Sequence, residues 1–217
     1  MPEWWTYRLS DFLMFSRDTY YGLFTRYNQD LWPGQLAALA LGVALLALVR
    51  PVGKWRDRFA GLILSAGWLV VGYAFHWQRF REINLAASWF AVACWIQAVL
   101  LVGSGVPGRR GPAPIGPTRS DSVGVGLLVL GVVIQPLIGP LLGRPWDAME
   151  VFGMAPDPTA TATMGLLLVR RSSRVLLVIP LLWCIVSGAT LWTMEAPDAW
   201  VPIGVALSVG FRMIRRR

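Results

Sequence analysis

Charge is what this sequence has least of. Of its 217 residues only 15% are Asp, Glu, Lys or Arg, where an ordinary soluble domain carries about 25%. Hydrophobic residues make up 55% of the chain, and the mean hydropathy is +0.53. They come in blocks that a water-soluble core could not use. The chain therefore reads as a multi-span membrane protein, and not as a soluble enzyme, a nucleic-acid reader or a disordered tail. Histidine is nearly missing as well. His76 is the only one, which excludes a bis-histidine haem or a three-histidine zinc site within the chain. The two cysteines, Cys94 and Cys184, lie inside apolar runs. They give no disulfide framework of the secreted kind and are read as buried, inert thiols; a thiol pair or soft-metal site would need further ligands. No G-x-S-x-G, H-E-x-x-H or phosphate-binding loop appears, so the sequence offers no familiar catalytic constellation and names no cofactor.

Lysine is the third scarcity, with Lys54 standing alone among arginines. A net charge of +8 would suggest nucleic acid in a soluble protein, but in a membrane protein basic residues set orientation first. A helix needs about 20 mostly apolar residues to cross the hydrocarbon. That length marks segments 33–49, 59–77, 84–105, 123–143, 174–194 and 197–213, with a seventh at 151–169 interrupted by Ala155-Pro156-Asp157-Pro158-Thr159. With seven spans and the N-terminus outside, the inner segments hold Arg50, Lys54, Arg56, Arg58, Arg109, Arg110, Arg119, Arg170, Arg171, Arg174, Arg212 and Arg215–Arg217 against Asp57 and Asp121, a net +12. The outer segments are net −4. Every inner segment is basic, as the positive-inside rule asks.

The expected architecture is an all-α polytopic transmembrane helix bundle of about seven spans, with a broken fifth span and an N-terminal interfacial amphipathic helix. One integral membrane domain fills residues 1–217: an outer arm (1–32), the bundle (33–213) and a flexible cytoplasmic loop (106–122) rich in Pro, Gly and Arg. The arm lacks the basic-then-apolar order of a cleaved leader. Phe12, Phe15, Thr19, Leu23 and Tyr27 form a helical stripe, Ser10 could cap it, and Trp4, Trp5 and Trp32 suit the headgroup region. It is either a simple interfacial anchor or a lid over an outer cavity.

Chemistry is expected where the fifth span breaks. Pro156 and Pro158 cannot donate backbone hydrogen bonds, and Asp157-Pro158 has the grammar of a helix start, with Asp as N-cap and Pro at the first helical position. Non-helical backbone at membrane depth survives when buried in protein or lining a wet cavity. There the capping Asp157 would favour a cation or proton over an anion. Thr159 follows it, and His76, Glu82, Asn84 and Glu150 fall at the same outer ends, so these six form the candidate ligand-binding set. Each also has a structural reading: the prolines as the end of a loop, His76 as an interfacial aromatic with a polar tip. In Trp183-Cys184 through Trp192, Ser187, Gly188 and Ala189 make a small face for helix packing, with Ser187 and Thr190 able to bond across it.

Four runs together, Trp4-Trp5-Thr6-Tyr7, His76-Trp77 to Asn84, Glu150 to Thr159 and Trp183-Cys184 through Trp192, resemble a bacterial family of small integral membrane proteins classified as a domain of unknown function. The resemblance implies a bacterial inner-membrane domain and transfers no activity. The functional expectation is a cavity open to the outside that binds a small solute or cation, for transport or sensing. Two alternatives stand beside it: an intramembrane enzyme acting on a lipid or isoprenoid, with His76 and the outer acids as base and ligands, or an accessory subunit packing on a membrane protein partner or a second copy through Gly61, Gly67 and Gly72. The expected partners are membrane lipids, with no nucleic acid.

Overall fold

The computed structural model describes residues 14–49, 53–104 and 119–215, and these form helices and turns with no strand among them. Helix α1 (Arg17–Asp30) meets α2 (Gly34–Ala47) at a bend of 96°. Helix α3 (Lys54–Val70) runs on through a π-helical stretch, Val71–Trp77, and a single 3-10 turn, Phe80–Glu82, leads to α4 (Ala87–Ser104). Helix α5 (Arg119–Val129) likewise passes through a π-helical stretch, Leu130–Ile134, into α6 (Gln135–Leu141); then come α7 (Pro156–Val169), α8 (Val175–Thr193) and α9 (Trp200–Arg215). Four stretches are long and apolar enough to cross a membrane, Lys54–Glu82, Ala87–Ser104, Ser122–Leu141 and Val175–Thr193, or five if the bent α1–α2 pair counts as one. Large apolar side chains such as Leu62, Leu69, Ile96, Val99, Leu182, Ile185 and Leu207 face outward, a surface that lipid solvates far better than water.

Helix α7 is the centre of the molecule. Every residue from Pro156 to Leu168 is buried, and α7 touches α3, α5, α8 and α9. Its 14 residues span only about 21 Å, so it is enclosed by longer neighbours. Close approach of α5 to α7 rests on glycine: a Cβ on Gly165 would lie 2.5 Å from the Leu128 nitrogen, and one on Gly131 would lie 2.6 Å from the Pro158 carbonyl oxygen. At the C-terminal end of α7 the fully buried Arg170 pairs with Asp57 and donates from Nη2 to the Leu48 carbonyl (2.6 Å). One side chain thus ties together the end of α2, the start of α3 and the end of α7.

The structure revises several sequence expectations. The helix of the N-terminal arm begins at Arg17 with Ser16 as its cap, the Ser16 hydroxyl accepting from the Thr19 amide; Ser10, Phe12, Trp4 and Trp5 lie outside the described residues. Its buried face is Tyr20, Leu23, Phe24, Tyr27 and Asn28, turned by about one residue from the expected stripe, because Tyr20 and Phe24 stack into a cluster with Phe75 and Phe80. The helix therefore packs on protein. Tyr27 donates to the Met154 carbonyl (3.1 Å), and Asn28 donates to the carbonyls of Asp147 (2.7 Å) and Met149 (2.8 Å). Most of the expected 106–122 loop is outside the described residues, and its last part is already helix, since α5 starts at Arg119. Gly61 is buried, Gly67 faces the Gly153 backbone and Gly72 faces Trp95 and Cys94. These three glycines are buried within the bundle.

Candidate functional site: an acidic cleft at the start of α7

Asp157 does not cap α7. Ala155 is the N-cap and Pro156 takes the first helical position, because Pro156 fits that position as well as Pro158 does and is reached first. The Asp157 carboxylate turns sideways to α8. Trp183 Nε1 donates to Oδ1 (2.6 Å) and the Ser187 hydroxyl donates to Oδ2 (2.7 Å). These donors stand four residues apart on α8 and so share one face. Asp157 is 4% exposed, and two donors hold a carboxylate that would otherwise be costly to bury.

Next to Asp157 lies a cluster that only the tertiary fold assembles. Arg144 donates from Nη1 to Glu150 Oε1 (3.0 Å) and from Nη2 to Asp198 Oδ2 (2.7 Å). The Tyr21 hydroxyl donates to the other Asp198 oxygen (2.6 Å), and the Arg144 guanidinium lies 4.0 Å from the Tyr21 ring centre. Helix α1, the 142–155 connection and the α8–α9 turn each contribute one part. Burial pushes the Glu150 carboxyl above its ordinary range, with Arg144 pulling the other way. Between these groups and α7 is a cleft lined by Gln135, Arg144, Glu150, Asp157, Asp198 and Pro202, with about 20 Å³ open to a water-sized sphere. Gln135 follows the π-helical stretch of the α5–α6 helix and is 7% exposed; its Oε1 has no hydrogen-bond partner among the described residues.

The six sequence candidates divide. Asp157 and Glu150 line the cleft together. His76 is nearby but shut in: it is 0% exposed and packs against Phe75, Phe80, Phe90 and Trp183, the last at 4.8 Å between ring centres. Neither ring nitrogen has a partner among the described residues, so His76 supports Trp183 by packing and is hydrogen-bonded to no acid. Thr159 is used by its own loop, accepting from the Gly153 amide (2.8 Å) and donating to the Ala155 carbonyl (2.6 Å). Asn84 accepts from the Ala86 amide (2.9 Å) at the start of α4. Glu82 is exposed and borders a separate groove with Thr19 and Ile83. Among the described residues no three His, Cys, Asp or Glu converge as a metal site. Cys94 and Cys184 are buried free thiols. Arg144, Asp198, Tyr21 and Gln135 were not among the candidates, since nothing local in sequence links positions so far apart.

Within the small-residue run of α8, Ser187 bonds across to Asp157 and Gly188 packs on Ile203, while Thr190 donates back to the Val186 carbonyl of its own helix.

These features define a class: an all-helical bundle with four or five helices apolar and long enough for a membrane, built around a short enclosed helix with an acidic cleft at one end. The chain belongs to the family of unknown function DUF6064, whose model matches residues 17–217. No match is found among curated proteins or among solved structures.

Proposed function

We propose that this is an integral membrane protein of the bacterial inner membrane that binds a small solute or cation in the acidic cleft, open to the outer face, as part of transport or sensing. The observation that carries the reading is the cleft itself: among the described residues three carboxylates, Glu150, Asp157 and Asp198, line it with one cation, Arg144, which pairs with Glu150 and Asp198. Charged groups at this depth are costly to keep without a use. The distribution of charge supports the orientation. Lys54, Arg56, Arg58, Arg170, Arg171 and Arg174 lie at the helix ends opposite the cleft, and Asp30, Glu82, Asp147, Glu195 and Asp198 lie at the cleft's own end. Basic ends stay in the cytoplasm. Helices α2, α7 and α9 supply the shorter crossings of a seven-span path.

Thermal unfolding of the detergent-purified full-length protein, screened against inorganic cations, amines, amino acids and anions, tests the reading. A ligand specific to the folded state at 100 times its Kd adds about 2.7 kcal/mol. The expected result is a saturating rise in Tm with at least one compound, lost in Asp157→Asn. A folded Asp157→Asn protein that responds like the wild type to every compound removes the cleft from the account.

A further inference from the structure

An apolar groove opens between α2 and α3, sharing no residue with the acidic cleft. Gly34 and Ala37 line it from α2, Ala66 and Gly67 from α3, and the Phe152–Met154 loop closes it behind. Two polar groups of that loop are already occupied. The Gly153 amide donates to Thr159 Oγ1 (2.8 Å), and the Met154 carbonyl accepts from the Tyr27 hydroxyl (3.1 Å). Backbone at membrane depth needs such partners, and with them the loop can face hydrocarbon. From Gly34 to Leu41 the groove follows α2 for about 10 Å. Spread over that length, its open volume of about 250 Å³ gives a cross-section of about 25 Å². A helix, about 10 Å across, needs roughly three times as much, whereas a single alkyl chain fits.

The mouth of the groove is charged. Leu31 lines the groove, and the residue before it, Asp30, pairs with Arg79 (2.7 Å). That pair borders a wider space of about 540 Å³ between α1 and the 79–83 turn, which Asp18, Arg26 and Glu82 also line. A phosphate there meets Arg26 and Arg79, and an ammonium meets Asp18, Asp30 and Glu82. With three acids against two cations, an anionic head lacking an amine would deepen the negative charge. The bend of 96° between α1 and α2 puts the charged space beside one helix and the apolar groove beside the other, as head and tail of a phospholipid require. Trp32, exposed at the bend, suits the headgroup level. We propose that one phospholipid with a zwitterionic, amine-bearing head is bound here, an acyl chain in the α2–α3 groove and its head among Arg26, Arg79 and the neighbouring acids. The assignment rests on the membrane-spanning part of the reading above and is independent of the cleft.

Native mass spectrometry of the full-length protein in a lipid-sparing detergent tests it, with phosphatidylethanolamine and phosphatidylglycerol of identical acyl chains as probes. The first phosphatidylethanolamine is expected to bind with a Kd at least threefold below that of phosphatidylglycerol. That Kd should rise at least threefold in Arg79→Gln, which loses only a partly exposed ion pair of little worth to stability. It should rise as much in Ala66→Phe, which fills the groove, and stay unchanged in Ala40→Phe, exposed on α2 outside the groove. If Ala66→Phe does not fold, Ala37→Phe on the facing wall replaces it. Phosphatidylglycerol binding as tightly as phosphatidylethanolamine, or wild-type binding in Arg79→Gln or in the groove-filling variant, overturns the assignment. Release of the protein from membranes by alkaline carbonate would sink the membrane reading with it. A protein that stays in the membrane and shows no preference between the two lipids loses this assignment alone.

Discussion

Replacing Arg144 with alanine is expected to destabilise the protein by about 3–5 kcal/mol, the cost of removing one partner from a buried ion pair. The side chains involved are 12% exposed for Arg144 and Glu150 and 8% for Asp198, so solvent screening relieves little of it. The loss is larger than a single ion pair suggests. Arg144 bridges two carboxylates, stands over Tyr21 and, among the described residues, is the cation that lines the cleft with Glu150, Asp157 and Asp198. Arg144→Lys keeps the charge but not the fork that reaches both acids, and should recover only part of the stability. The deficit also depends on pH. Burial raises the folded-state pKa of Glu150 above its ordinary value, so its contribution is most favourable below the unfolded carboxylate range and is lost as pH rises through the raised value. Without Arg144 that loss deepens. Unfolding of Arg144→Ala measured at pH 5 and pH 8 should show the smaller deficit against wild type at pH 5.

The second large effect is expected at the α5–α7 contact. In Gly165→Val the new Cβ would start 2.5 Å from the Leu128 nitrogen and 2.7 Å from the Gly124 carbonyl oxygen. Both are backbone atoms of a neighbouring helix and cannot swing aside. Overpacking of this kind costs about 3 kcal/mol or more, well above the helix propensity a glycine replacement recovers. A Cβ on Gly126, in the same α5, would meet nothing within 4 Å, and Gly126→Ala should be neutral or stabilising by up to about 1 kcal/mol. Thermal unfolding of the two variants side by side separates a close-packed glycine from an idle one. Because α7 carries Asp157, a Gly165→Val protein that folds should also lose its response to ligand.

Much of this was written locally in the chain. Long apolar runs mark the helices of α3–α4, α5–α6 and α8, and the alternation of arginine-rich with acidic connections places their ends. The Pro156-Asp157-Pro158 run locates the short central helix. Its exact start was ambiguous for a physical reason: two prolines two residues apart can each serve as the first helical residue, and Asp157 caps only if the second one does. The π-helical turns before Gln135 and around His76 leave no mark in composition or periodicity, so the inward turn of those side chains was not legible. Thr159 and Asn84 have the chemistry of ligands but sit beside backbone groups needing partners, and local bonding claims them first. The Arg144–Glu150–Asp198–Tyr21 cluster joins residues separated by up to 177 positions, a juxtaposition that only packing creates.

An outward cleft requires that the acidic and arginine-rich ends lie on opposite sides of a bilayer, and one-sided labelling tests this most directly. Glu82→Cys and Ser173→Cys place exposed thiols at the two ends, while the native Cys94 and Cys184 are buried and give little background. In bacterial cells stripped of the outer membrane, a membrane-impermeant maleimide is expected to label Glu82→Cys in intact cells and Ser173→Cys only after permeabilisation. Labelling of Ser173→Cys in intact cells, with Glu82→Cys protected, would put the cleft in the cytoplasm and contradict the account.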